Sequence, residues 1–265
     1  MLQYLVILLD DTSVSYCHYD NRKSEHRLIS LENLKAGILF AMKENLMLQF
    51  VYPHYELPQA YKDEIETIDH SKIVPVEYRD EADVVVLDDW EQLSVSGCDI
   101  QKTYVLRTGK TGFFKNYTIL NEVLDKVLRL NVVLVDIDTF TESDFDIYKS
   151  VLDELALKLK GMYLEGMAPQ LNLLTDRMML DKMNNCNAGV ENITLAPDGK
   201  FYICPAFYLA DDGYSIGSLV EVLDIKNLKL YKLSYAPLCR NCDAYQCKRC
   251  IWMNWKTTLE VNTPS

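Results

Sequence analysis

The chain has 265 residues, a formal net charge of −12 and a sequence pI of about 4.8. This acidic balance argues against nucleic-acid binding, which needs a basic face to displace counterions. With 49% hydrophobic and 25% charged residues, the composition is typical of a folded globular protein. No apolar run reaches the roughly 18 residues of a membrane helix, and the apolar residues 1–9 lack a basic start and a cleavage site. We therefore expect a cytoplasmic protein with no nucleic-acid or membrane partner.

The first part of the chain alternates strand-like and helix-like segments. Continuous apolar runs predict strands over residues 5–9, 48–52, 84–87, 104–106 and 132–135. Apolar residues at helical spacing predict helices over residues 31–42, 123–128 and 148–162. Repeated β-then-α units indicate a mostly parallel sheet covered by helices. About five strands are too few for a closed barrel of eight, so we predict an α/β half-barrel or open sheet over residues 1–165.

Residues 166–265 have a different character, with cysteines, turns and short strand signals. The sequence Ala196-Pro197-Asp198-Gly199 is a turn, because proline fixes φ and glycine allows positive φ. It lies between apolar residues 193–195 and 201–203, which predicts a β-hairpin that brings Cys186 and Cys204 together. We expect a small, Cys-rich α+β domain, in which a metal compensates for a limited core.

Six of the eight cysteines lie in this domain: Cys186, Cys204, Cys239, Cys242, Cys247 and Cys250. In a reducing compartment such a group indicates metal binding rather than disulfides. The last four are spaced C-x2-C-x4-C-x2-C. A C-x2-C turn directs two sulfurs at one metal, and its backbone N–H groups can hydrogen-bond the thiolates.

The spacing favours iron–sulfur clusters over zinc. Zinc sites usually draw their two cysteine pairs from well-separated loops, whereas iron–sulfur runs often place three cysteines on one cluster and the fourth on a neighbour. This pattern predicts that one [4Fe–4S] cluster is bound by Cys239, Cys242 and Cys247. A second would be bound by Cys186, Cys204 and Cys250. The alternatives are zinc and buried structural thiols.

The pattern Cys186-x12-Gly199-x4-Cys204, followed by Gly-Tyr-Ser-Ile-Gly-Ser-Leu at 213–219 and the four-cysteine run, resembles the SPASM domain. SPASM domains carry auxiliary clusters in radical SAM enzymes that modify ribosomally made peptides. The nearest named group is the CXXX repeat peptide maturase family. The resemblance implies a degenerate radical SAM-like domain over residues 1–165 and a SPASM-like domain over residues 166–265. It also implies a Cys-rich precursor peptide as partner, with a radical SAM enzyme or an electron donor as a further one.

The chain departs from the resemblance in the loop after the first strand. Radical SAM enzymes bind their catalytic cluster there with C-x3-C-x2-C, but Asp10 and Val14 occupy the first two positions and only Cys17 remains. We therefore expect no reductive cleavage of S-adenosylmethionine by this chain, and the sequence identifies no catalytic residue. A lone Cys17 is expected to be a buried thiol.

The cysteine run also departs from the family pattern. Each of its last two gaps is one residue shorter, and the further cysteine of the family pattern is missing after Cys250. Each cluster would then have three protein thiolates and one open position. Either the sequence stops short of its last ligand, or the open position binds another group, for which a cysteine of a peptide substrate would be suitable.

These observations lead to three functional hypotheses. The first is an iron–sulfur protein of peptide maturation, acting as a degenerate maturase or as a redox or substrate-presenting partner. The second is a zinc-stapled binding module without a redox role. The third is a hydrolase that uses the acidic residues after predicted strands, namely Asp10, Asp11, Asp88, Asp89, Asp136 and Asp138. Such residues otherwise serve as turn residues or helix caps.

Overall fold

The computed structural model describes residues 2–23, 25–93, 97–178, 180, 186–210, 213–221, 223, 228–245 and 250–262. The chain divides into two compact units: a first unit of residues 1–74 and 180–265, and a second unit of residues 75–179. This division follows spatial proximity. The division into residues 1–165 and 166–265 rests on resemblance to known modules and stays a prediction.

The strands are β1 (Tyr4–Leu8), β2 (Met47–Val51), β3 (His70–Pro75), β4 (Val84–Leu87), β5 (Thr103–Thr108), β6 (Arg129–Leu134), β7 (Gln170–Leu171), β8 (Asn192–Leu195), β9 (Lys200–Tyr202) and β10 (Gly217–Ser218). The helices are α1 (Leu31–Glu44), α2 (Gln59–Ile65), α3 (Lys110–Asn116), α4 (Leu120–Val123), α5 (Glu142–Leu164), α6 (Thr175–Met178), α7 (Ala206–Leu209) and α8 (Ile251–Thr258). The predicted fold class is confirmed: the protein is mixed α/β, with parallel strands and packed helices.

In the first unit the strands follow the order β10-β9-β8-β1-β2-β3. β1 is parallel to both β2 and β8, with Leu5 opposite Leu48 on one side and Ile193 on the other. Leu5 and Ile193 are fully buried, as expected for a strand covered on both faces. Helix α1 packs closely on this region, because a Cβ at Gly37 would clash with a methyl group of Leu195.

Two local signals define the ends of α1. The Ser30 hydroxyl accepts a hydrogen bond from the Asn33 backbone at the N-terminus, and Asn45 adopts a left-handed conformation with φ 54° at the C-terminus. Both are preferred capping residues. The predicted helix over residues 31–42 is therefore confirmed.

In the second unit the parallel strands follow the order β4-β5-β6-β7. Helix α5 begins at a capping box formed by Thr141 and Asp144. It buries the apolar stripe of Val151, Leu155, Leu159 and Met162. The amphipathic helix predicted over residues 148–162 is confirmed and extends further in both directions.

One predicted element was wrong, and one strand of the first unit was missed. The helix predicted over residues 123–128 is absent: α4 ends at Val123, and a turn leads directly into β6 at Arg129. Leu128, counted on the apolar face of that helix, is 50% exposed. Strand β3 was not predicted, because its sequence His-Ser-Lys-Ile-Val-Pro contains only a two-residue aliphatic run.

Within the described ranges, none of the helices combines the length and the apolar composition that crossing a membrane would require. The cytoplasmic location stays a prediction.

Candidate metal centre

The predicted hairpin exists and leads directly to Cys204. Strands β8 and β9 pair antiparallel, with Leu195 opposite Phe201. At the turn, Gly199 has φ +78°, a conformation that glycine adopts without steric cost. The chain then enters α7, where the Phe207 backbone N–H donates to the Cys204 carbonyl at 3.1 Å. The hairpin thus fixes the backbone on which Cys204 lies.

The exposed Cys186 lies just before a tight turn that leads into β8. In this turn Asn187 has φ +61°, and the Gly189 N–H donates to the Asn192 carbonyl at 2.8 Å. A Cβ at Gly189 would lie 3.0 Å from Ile203, the residue that precedes Cys204. The turn after Cys186 is therefore packed against the chain beside Cys204, as the hairpin predicted.

The loop after β1 is attached to α7. The Tyr208 hydroxyl donates to Asp11 at 2.5 Å, and the Arg22 backbone N–H donates to the Leu209 carbonyl at 2.9 Å. The Lys23 ammonium lies 4.6 Å from the centre of the Tyr208 ring. Cys17 therefore lies on a segment that is attached to the helix after Cys204 through Asp11 and Arg22.

Cys250 immediately precedes α8, and the Asn254 backbone N–H donates to its carbonyl at 3.1 Å. The Trp252 ring packs at 5.2 Å and the Trp255 ring at 6.1 Å from the ring of Phe207 in α7. Phe207 and Trp252 are buried. Aromatic packing thus places the start of α8 beside the segment that begins at Cys204.

The electrostatic surroundings of Cys204 include other cysteines. Burial raises the pKa of the Cys204 thiol well above its ordinary value, and the charges of Cys250, Cys186 and Cys17 raise it further. Burial likewise raises the pKa of the Tyr16 hydroxyl, and the charges of Tyr19 and of nearby cysteines add to this effect.

Among the described residues, no three or more His, Cys, Asp or Glu side chains are arranged to hold a metal ion. The assignment of the six predicted cysteines as ligands stays a prediction. What the structure does establish is the packing of the segments beside them: the turn after Cys186 packs against Ile203, which precedes Cys204, and α8, which follows Cys250, packs on Phe207.

Cys239 and Cys242 lie in a separate tight turn. The Cys242 N–H donates to the Cys239 carbonyl at 3.0 Å, and the Ala244 N–H donates to the Cys242 sulfur at 3.4 Å. The predicted backbone donation to a cysteine sulfur is therefore confirmed at Cys242. Cys239 is buried and packs with Ala236, Cys242 and Tyr245. Cys247, the predicted third ligand, lies outside the described residues.

In the loop after β1, where radical SAM enzymes bind their catalytic cluster, Asp10 is the centre of a hydrogen-bond network. The Asp10 side chain is fully buried and accepts hydrogen bonds from the Thr12 backbone at 2.8 Å, the Thr12 hydroxyl at 2.6 Å and the Tyr55 hydroxyl at 2.8 Å. Val14 is also buried. Cys17, by contrast, is exposed, so its expected burial was wrong.

The other acidic residues at strand ends serve local structure. Asp136 accepts the Lys110 backbone N–H at the start of α3 at 2.9 Å, and Asp89 accepts the Glu91 N–H at 3.0 Å. Asp88 is largely exposed, with its carboxylate 4.0 Å from the Arg107 guanidinium. Asp136 and Asp89 thus have the helix-start and turn roles that acidic residues after strands often have. Such roles do not support the hydrolase hypothesis.

No family model and no curated protein matches the chain. Solved structures do. Native anSMEcpe with bound AdoMet and Cp18Cys peptide aligns with a TM-score of 0.57 and 13% identity, over 99% of this chain and 93% of that one. SuiB from Streptococcus suis, bound to S-adenosylmethionine, aligns with a TM-score of 0.53 and 11% identity, over 97% and 75%. The chain shares its fold with these two structures. At such low identity the likeness concerns the fold alone.

Proposed function

We propose that this protein is a SPASM-type iron–sulfur protein that takes part in maturing a ribosomally synthesised, Cys-rich peptide. It binds the precursor and acts as a degenerate maturase, or as a redox or substrate-presenting partner of a radical SAM enzyme. The observation that carries the proposal is the hairpin that packs the turn after Cys186 beside the residue before Cys204, in a chain that shares its fold with anSMEcpe. The same proposal includes that the chain is related to the CXXX repeat peptide maturases.

The donor set suits an iron–sulfur cluster. Thiolates are the usual ligands of such clusters, and apolar surroundings with N–H···S bonds tune their potential. Cys204 and Cys250 lie a few residues before the buried rings of Phe207 and Trp252, and the Cys242 sulfur accepts an N–H bond. When bound, the clusters would supply one-electron transfer or a binding point for a substrate sulfur.

The residues of the loop after β1 indicate that this chain does not generate the radical itself. A catalytic radical SAM cluster requires three thiolates in the loop after β1, where this chain has Asp10, Val14 and Cys17. The buried Asp10 carboxylate is committed to Thr12 and Tyr55. A partner radical SAM enzyme or an electron donor would therefore supply the reducing chemistry.

A peptide partner is supported by the neighbouring structure of anSMEcpe, which holds a peptide together with AdoMet. The acidic chain, with its net charge of −12, would favour a peptide with basic residues. The location in the cytoplasm, where thiols stay reduced, fits the same role.

The first test is the metal content of protein purified anaerobically. We expect iron and sulfide, a brown colour, and loss of at least one cluster in Cys204→Ser. The matched control is Cys98→Ser, which removes a half-buried cysteine of the second unit and should leave the iron content unchanged. Colourless protein that contains zinc but no iron or sulfide would instead support the zinc-stapled binding module.

The second test concerns the peptide. Purified protein is titrated with a synthetic basic peptide that contains one cysteine, and with the same peptide carrying serine instead. We expect saturable binding, read from the intrinsic fluorescence of the three tryptophans, Trp90, Trp252 and Trp255. Absence of binding for both peptides would contradict the precursor-binding role while leaving the metal assignment intact.

A further inference from the structure

We propose that Cys239 and Cys242 form a dithiol–disulfide pair that exchanges with the disulfide of a Cys-containing peptide. The inference concerns the chain without metal, because sulfurs that are joined to each other are not available as thiolate ligands. It goes beyond the proposed function, since neither iron nor a radical takes part in the exchange. Only the idea that a Cys-rich precursor supplies the disulfide rests on that function.

The backbone holds the two cysteines at a separation that suits a disulfide. Both lie in one turn, in which the Cys242 N–H donates to the Cys239 carbonyl at 3.0 Å. A hydrogen bond from residue i+3 to residue i closes a β-turn, which keeps the two Cα atoms within about 7 Å. Disulfides join Cα atoms that are about 4.4–6.8 Å apart. The turn can therefore carry the disulfide without unfolding.

The two sulfur-bearing residues differ in their access to solvent. Cys239 is only 4% exposed and packs with Ala236, whereas Cys242 is partly exposed and packs against these two residues. The neighbouring Leu238 is 82% exposed, and Arg240 also faces solvent. The turn is therefore a surface feature. An external disulfide can reach Cys242, while Cys239 lies beneath it to complete the exchange.

The polar surroundings suit a reacting sulfur. Thiol–disulfide exchange proceeds through a thiolate, and C-x2-C motifs beside cationic side chains favour such chemistry. The Ala244 N–H donates to the Cys242 sulfur at 3.4 Å, and a backbone donor of this kind can stabilise negative charge on sulfur. Arg240 lies between the two cysteines in sequence and places a cation in the same turn.

The exchange balances without any further oxidant or reductant. The Cys242 thiolate attacks one sulfur of the peptide disulfide, forms a mixed disulfide with it and releases the other sulfur as a thiolate. Cys239 then loses its proton and attacks the Cys242 sulfur, which releases the second peptide sulfur. The chain is oxidised by two electrons and the peptide is reduced by two. The two protons of the dithiol end on the peptide thiols.

This activity would have two consequences for a Cys-rich peptide and for the chain. The peptide cysteines would be returned to the thiol form, in which they can be modified or can bind a metal. The chain would be left with a disulfide in place of two predicted metal ligands, Cys239 and Cys242. Metal loading at that site would then require reduction of the pair first.

The first test uses the full-length chain, stripped of metal, reduced and kept anaerobic. It is mixed with a synthetic peptide that contains one internal disulfide. Free thiols are then blocked with iodoacetamide, and the chain is digested with trypsin. Trypsin cuts after Arg240, between the two cysteines, so their disulfide keeps two fragments joined in the mass spectrum. We expect a link between Cys239 and Cys242 that dithiothreitol releases. Absence of a link, or a link from Cys239 to Cys247 instead, would overturn the proposal.

The second test separates the roles of the two sulfurs. Cys239→Ser keeps the accessible sulfur and should accumulate the mixed disulfide between Cys242 and the peptide, because the resolving thiol is missing. Cys242→Ser keeps only the buried thiol, so reduction of the peptide should slow at least about tenfold. The matched control is Cys98→Ser in the second unit, which should reduce the peptide at the wild-type rate.

Circular dichroism of the metal-stripped variants checks that each one is folded. Among folded variants, a wild-type rate for Cys242→Ser or no trapped peptide on Cys239→Ser would contradict the proposed roles. If the variants do not fold, the wild-type chain decides by its reaction with iodoacetamide. Cys242 should be alkylated at least about tenfold faster than Cys239, and equal rates would overturn the assignment.

This proposal and the iron–sulfur function fail separately. Iron and sulfide in the anaerobically purified chain test the function, whereas the disulfide link in the metal-stripped chain tests the pair. A chain that holds iron but forms no link overturns the pair and keeps the function. A chain that forms the link but holds no iron supports the pair and overturns the function.

Discussion

The Tyr208 hydroxyl donates a 2.5 Å hydrogen bond to Oδ1 of Asp11, across 197 residues of sequence. Asp11 lies in the loop after β1, whereas Tyr208 lies in α7, just after Cys204. Both side chains are buried. This bond therefore joins the loop that carries Cys17 to the segment that begins at Cys204.

Removing this bond should destabilise the first unit. Tyr208→Phe leaves the buried Asp11 carboxylate without its phenol donor, which should lower the free energy of unfolding by about 1–3 kcal/mol. Urea unfolding of the metal-stripped chain measures the effect. The control is Tyr117→Phe, which removes an exposed hydrogen bond to Glu154 and should change little. Equal losses in the two variants would contradict this account.

The cost of Tyr208→Phe should also depend on pH. Burial raises the pKa of Asp11 above its ordinary 3.8, while the bond from Tyr208 lowers it. A raised folded pKa means that stability falls as pH rises from the unfolded value through the folded one. Removing Tyr208 extends that fall, so the loss should be larger at about pH 7 than at about pH 3. Unfolding measured at both values checks this, and a pH-independent loss would show that Asp11 is not involved.

Asp10 should be essential to the loop rather than to chemistry. Asp10→Ala removes the acceptor for Thr12 and Tyr55 inside the protein, which should cost at least about 2 kcal/mol. Asp63→Ala, which loses one exposed bond from Gln59, is the matched control and should be nearly neutral. Thermal unfolding compares the two.

The same reasoning applies to restoring the radical SAM motif. The double variant Asp10→Cys and Val14→Cys recreates C-x3-C-x2-C in sequence but breaks the Asp10 network. We expect it to be less stable than the wild-type chain when stripped of metal. A double variant as stable as the wild type would show that the network contributes little.

Local patterns predicted much of the fold. Some elements are determined by a few adjacent residues. Examples are the continuous apolar run of β1 and the turn Pro197-Asp198-Gly199. Strand β3 was not predicted because Ile73 and Val74 are its only aliphatic residues, too short a run to indicate a strand. The helix over 123–128 was wrong because apolar recurrence alone does not distinguish a helix from a turn between buried segments.

The candidate site was harder to predict because its parts meet through long-range contacts. The pairing of Cys186 with Cys204 followed from a single hairpin. The position of Cys17 depends on the bonds of Asp11 and Arg22 to α7, which no local pattern contains. Tertiary packing, not spacing, sets where that cysteine lies.

Phe207 should couple α8, and hence Cys250, to Cys204. It is almost fully buried and contacts the rings of Tyr214, Trp252 and Trp255. Phe207→Ala should cost about 3–5 kcal/mol, because it opens a cavity among these rings. Phe207→Leu keeps most of the volume and should cost less than about 1.5 kcal/mol. Limited proteolysis should cut near α8 faster in the alanine variant only, and equal cleavage in both would argue against this coupling.

Two glycines should respond in opposite directions to alanine. Gly199 has φ +78°, and an added Cβ would lie 2.8 Å from the Asn33 side chain. Gly199→Ala should therefore cost about 1–2 kcal/mol and displace the hairpin that carries Cys204. Gly161 lies in α5 with nothing within 4 Å of an added Cβ, so Gly161→Ala should stabilise the chain by about 0.5–1 kcal/mol.

Thermal unfolding by circular dichroism measures both glycine variants, and iron release to a chelator measures the site. Gly199→Ala should release iron faster than the wild type, because the hairpin sets the position of Cys204. Gly161→Ala lies in the second unit and should release iron at the wild-type rate. If Gly199→Ala loses stability but retains iron normally, the geometry of the turn matters to the fold and not to the metal site.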